Sequence, residues 1–93
     1  MPWYKIRIEI VDIQETGKCS QGHKVGDVFE TEEDHRRICG AAYNTLYPYL
    51  IGLKSGGSFP WEEDADSITL CCADYKNPVV FKLTRIKDES KAD

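Results

Sequence analysis

The side chains of this sequence best suited to chemistry are four thiols and two imidazoles: Cys19, Cys39, Cys71, Cys72, His23 and His35. Cys19 and His23 stand four apart in the polar, glycine-containing stretch 16–24. A soft thiolate beside an imidazole is a ligand pair for zinc or iron, and a loop can wrap an ion. Cys39 and Cys72 complete a set of four ligands if the fold brings them to the same place. The spacing departs from the paired Cys-x-x-Cys and His-x₃-His units of common zinc sites, so a second chemistry stands beside the first. Cys39 follows His35, Arg36 and Arg37 at an expected helix start. A helix N-terminus and nearby cations favour a reactive thiol, and His23, brought alongside, would complete a nucleophile–base pair. The plainer reading of each cysteine is a small apolar core residue.

Two other groups are candidates. Phe59 and Trp61 lie in the long segment KSGGSFPWEEDAD, with Tyr47 just upstream. Aromatics so placed can line a pocket or anchor a partner. Glu62, Glu63, Asp64 and Asp66 follow Trp61; paired carboxylates can divide acid and base roles, although a run of acids is more often a solvated loop. Ser55-Gly56-Gly57-Ser58 is no phosphate loop, because it lacks the Gly-Lys-Ser/Thr ending and does not follow a strand. His35, set among acids and arginines, reads as part of a solvated helix start.

These residues must be positioned by a few short elements. Tyr4, Ile6, Ile8 and Ile10 alternate with Lys5, Arg7 and Glu9, the period of a half-buried strand, and the alternation slips at Ile10-Val11, where a bulge is expected. Residues 25–30 read as a short second strand weakened by Gly26-Asp27. Thr31 to Asp34 offer caps and acids for a helix start. Ile38, Ala42, Leu46, Tyr49, Leu50 and Leu53 then recur at the spacing of one helical face. Pro48 interrupts this run, so the spacing predicts a kinked helix or two short helices meeting near Tyr47-Pro48. Gly52, Gly56 and Gly57 end it. Phe59 and Trp61 are expected to fold the loop down onto the body. Ser67–Ala73 and Val79–Ile86 read as a hairpin, with Ile68, Leu70 and Cys72 on one inner face and Val79, Phe81 and Leu83 on the other. Cys71 and Cys72, adjacent on a strand, then point to opposite sides and do not bond to each other.

The expected fold class is α+β: a small antiparallel sheet of about four strands with helix on one face. Residues 1–86 form the domain and 87–93 a charged tail. With 12 basic and 16 acidic residues the net charge is −4, which excludes a strongly basic nucleic-acid binder. No apolar run is long enough for a membrane span, and the apolar segment after Met1 is broken by Lys5, Arg7 and Glu9, unlike a signal peptide. The expected compartment is therefore the cytoplasm, with reduced thiols. Strands this few leave edges open, so a second copy of the chain is an expected partner.

Several segments together resemble a family of short, uncharacterised microbial proteins of similar length. They are Lys18-Cys19, Gly22-His23-Lys24-Val25-Gly26-Asp27, Cys39 with Leu46-Tyr47-Pro48, Gly56-Gly57 with Phe59-Pro60-Trp61, and Cys71-Cys72-Ala73-Asp74 with Asn77-Pro78-Val79-Val80-Phe81. The resemblance implies that the thiols, His23 and Trp61 belong to one recurring site, and it supplies no reaction. The leading functional expectation is a small enzyme or small-molecule-binding protein. Its pocket would lie between sheet and helix, covered by the Trp61 loop and lined by Cys19, His23, Cys39 and Cys72. The other is a non-catalytic interaction module, or a self-associating protein, that uses Trp3, Tyr47, Phe59 and Trp61.

Overall fold

A computed structural model describes residues 4–14, 22–30, 37–72 and 78–86. Its elements are β1 (Lys5–Ile13), β2 (Val28–Glu30), α1 (Gly40–Lys54), β3 (Ser67–Cys71) and β4 (Val79–Ile86). The strands form one antiparallel sheet in the order β2-β1-β4-β3, and α1 packs on one face of it. This is the expected α+β architecture.

Alternation decides which side chains meet the helix. Ile6, Ile8 and Ile10 of β1 and Val79, Phe81 and Leu83 of β4 are buried, while Arg7 and Lys82 are exposed on the far face. The register of β1 against β4 shifts between Ile10 and Asp12, leaving Val11 exposed and turning Ile13 back into the core. That is the bulge expected from the slip in alternation. From α1, Ala42, Leu46, Leu50 and Leu53 complete the core, joined by Ile38 just before the helix.

Pro48 does not divide the helix. Residues 40–54 form one continuous α-helix of 15 residues, which corrects the helix-pair alternative. Proline removes one N–H, and Pro48 lies on the exposed side, so packing of the opposite, leucine-bearing face carries the helix through it.

The helix end is built by its glycines. Gly57 donates to the carbonyl of Gly52 at 2.8 Å and Gly56 to that of Leu53 at 3.1 Å. This is the paired bonding of a Schellman stop, with Gly56 at φ +95° in the left-handed region that glycine tolerates. Gly57 is needed for another reason: a Cβ there would stand 2.9 Å from the Gly52 carbonyl oxygen. The Thr31–Asp34 caps, Ala73 and the 87–93 tail lie outside the described residues.

Candidate functional site

The structure places the predicted residues at two separate ends of α1. At the start, Cys39 is the N-cap residue of the helix, and its own side chain makes no capping hydrogen bond. Its backbone N–H donates to Nε2 of His23 at 3.0 Å. The His23 ring stands edge-on to Phe29 of β2, with centroids 5.6 Å apart, and the Arg37 guanidinium lies over the other ring partner of this cluster, 5.3 Å from the Phe29 centroid. Gly22, at φ +86°, precedes this histidine. A turn after it is closed by the Lys24 N–H donating to Asp27 at 2.9 Å.

Cys39 and His23 therefore do meet, but through the peptide group and not through the thiol. A ring nitrogen that accepts an N–H has its lone pair engaged, and the ring proton then sits on Nδ1. In this arrangement Nε2 is not the base that removes the Cys39 proton. His23 ties the β2 side of the sheet to the start of α1.

The other proposed ligands lie elsewhere. Cys72 follows β3, the edge strand opposite β2, and the full width of a four-stranded sheet is about 14 Å. The Cys72 Sγ accepts the Val79 N–H at 3.3 Å, and Cys72 itself donates to the Val79 carbonyl at 2.9 Å. Cys72 packs against the core while Cys71 is exposed on the open sheet face, as alternation requires. Among the described residues no group of three His, Cys, Asp or Glu side chains gathers so as to hold a metal ion. His23, Cys39 and Cys72 thus do not converge, and Cys19 lies outside the described residues, as does His35. Cys39, Cys71 and Cys72 are free thiols.

At the far end of the helix sits the aromatic group. The Phe59 ring rests on Gly52, where a Cβ would come within 3.1 Å of its Cζ. Tyr49 and Phe59 have centroids 5.7 Å apart, and Phe59 and Trp61 5.3 Å apart. Phe59 folds onto the body as expected. Trp61 does not, being 66% exposed. Tyr47 is turned elsewhere on the helix, where it meets Tyr43 at 5.8 Å. From Cys39 to Gly52 the helix axis runs roughly 20 Å at about 1.5 Å per residue. The single site implied by the resemblance is thus two places, and the space between helix and sheet is filled by buried Ile, Leu and Phe side chains.

The loop bearing Trp61 is fixed by a residue that the motifs did not single out. Arg85 is buried on β4, its side chain 7% exposed. Nη1 donates to the carbonyls of Leu53 and Gly57, each at 2.8 Å. Nη2 donates to the Ala65 carbonyl at 3.0 Å and to Asp66 Oδ1 at 2.9 Å, and Nε donates to the same carboxylate oxygen at 3.1 Å. All five guanidinium N–H groups are thereby used. The Tyr4 ring lies beneath, 5.3 Å from Cζ. The signal for Arg85 was present: the period of Val79, Phe81 and Leu83 carries position 85 onto the buried face, and a charge there must be paired.

The acids after Trp61 are also structural. Glu62 accepts the outward N–H of Thr69 at 3.1 Å, Asp64 that of Asp66 at 2.9 Å, and the Asp64 carbonyl that of Ser67 at 3.3 Å. The segment thus lies along the free edge of β3.

No family model, curated protein or solved structure matches the chain. No helix among the described residues is long and apolar enough to cross a membrane.

Proposed function

We propose that this protein is a binding module whose contact surface is the row Tyr49–Phe59–Trp61, acting by holding a partner and not by chemistry at its thiols. The observation that carries the reading is Trp61: a large ring 66% exposed on a segment held at both ends by Arg85 and along its length by Glu62 and Asp64. Burying such a ring on a partner removes much apolar surface from water, and aromatic anchors dominate interface energies. A segment already ordered loses little entropy on binding. Selection of peptides from a displayed library on the immobilised protein tests this. The expected outcome is a set of sequences that bind the native chain and fail to bind Trp61→Ala; a selection yielding no Trp61-dependent sequence contradicts it.

A second reading retains the thiol end, supported by the 3.0 Å bond that fixes Cys39 at the helix start. Here Cys39 is a reactive thiol in a small enzyme or ligand-binding protein, and His23 orients its backbone. Limited alkylation followed by mass spectrometry distinguishes the thiols. Cys39 modified first supports this reading, whereas Cys71 modified first, in line with exposure alone, opposes it.

A further inference from the structure

We infer that the partner of this surface is a basic polypeptide segment, which lays a lysine or arginine side chain across the Trp61 ring and sets its neighbouring charge against Glu63 and Asp64. This rests on the reading of the aromatic row as the contact surface and adds the chemistry of what binds there.

The charge carried by the segment that bears Trp61 is one-sided. Between Ser55 and Cys72 the chain carries Glu62, Glu63, Asp64 and Asp66 and neither lysine nor arginine. Arg85 matches Asp66 with a 2.9 Å ion pair. Glu62 and Asp64 each accept a backbone N–H, which orients a carboxylate without cancelling its charge. Glu63 and Asp64 are exposed. Trp61 stands beside Phe59, with ring centroids 5.3 Å apart and planes tilted by 42°. Trp61 is 66% exposed, and its indole is the best aromatic acceptor for a cation. Carboxylates one to three residues away deepen the same negative potential, which draws a cationic partner in and repels an acidic one. A second copy docking the same patch would set like charge on like. The row spans three rings, more than a lone cation covers, which favours an extended segment over a small organic cation.

The test uses the full chain, calorimetry and three synthetic decapeptides in which serine alternates with lysine, with glutamate or with leucine. The lysine peptide is expected to bind saturably and more weakly as salt rises. Trp61→Ala is expected to weaken it about tenfold, the scale of a cation–π contact. Glu63→Gln with Asp64→Asn weakens it too, while the glutamate peptide does not bind. Circular dichroism checks that the variants fold. If the leucine peptide binds as tightly through Trp61, the charge inference fails and the binding surface stands. Undiminished lysine-peptide binding to Trp61→Ala overturns the inference in favour of bulk electrostatic attraction. Self-association lost on Trp61→Ala overturns it in favour of a second copy. No binding by any of the three peptides overturns it outright, and joined to a library selection without Trp61-dependent sequences it removes the reading beneath.

Discussion

Arg85 joins three parts of the molecule: the last turn of α1 at Leu53, the glycine turn at Gly57 and the Ala65-Asp66 approach to β3. As a cation at a helix C-terminus it also complements the helix dipole. Arg85→Ala removes the ion pair to Asp66 and the guanidinium donors to three carbonyls, and is expected to cost about 3–5 kcal/mol, measured by denaturant unfolding. Arg85→Lys restores little, because an ammonium has three N–H groups and no planar fork. His23 carries a prediction of another kind. Since Nε2 accepts the Cys39 N–H, the imidazole ¹⁵N shifts should report the Nδ1–H tautomer, and His23→Ala should cost about 1 kcal/mol. The Nε2–H tautomer would rule that bond out. At this scale the sequence was half legible: adjacency of Cys39 and His23 was a fair expectation, but which atoms meet depends on a loop path that spacing does not encode.

The elements were more legible, because their signals are local. Period two marked β1 and β4, and the slip at Ile10-Val11 marked the bulge. Of the two expectations for Pro48, a kinked helix or a helix pair, the pair fails because the leucines of the opposite face hold one helix together through the proline. The Gly56-Gly57 stop has a sharp consequence. Gly57→Ala drives a Cβ into the Gly52 carbonyl and is expected to destabilise the fold by about 1–3 kcal/mol, seen as a lower melting temperature, and to shift Trp61 fluorescence as the loop moves. The β3 edge yields another test. Its Thr69 N–H points away from β4 and is covered by Glu62, the kind of guard that keeps an edge from pairing with another chain. Glu62→Ala is expected to speed hydrogen exchange at Thr69, with Leu70, bonded within the hairpin, unchanged; equal protection in the variant would mean that Glu62 guards nothing.

At the scale of the whole molecule, one helix packs on a four-stranded sheet among the described residues, which leaves one sheet face uncovered by them and sets the two helix ends far apart. A domain this small buries only about 60% of its unfolded surface, so its margin is narrow and one clasp such as Arg85 is a large share of it. The resemblance joined the thiols to Trp61 because chain order is silent on which end of a helix each loop reaches; strand order and helix direction decide that. Those same facts make the two readings separable in one experiment. The most direct test of the Trp61 surface is a ¹⁵N NMR titration of the full chain with the lysine–serine decapeptide. The expected result is saturable shifts at the Trp61 indole, Phe59, Glu63 and Asp64, with His23 and Cys39 still. Shifts centred on His23 and Cys39, or an unmoved Trp61 indole at saturation, would contradict it.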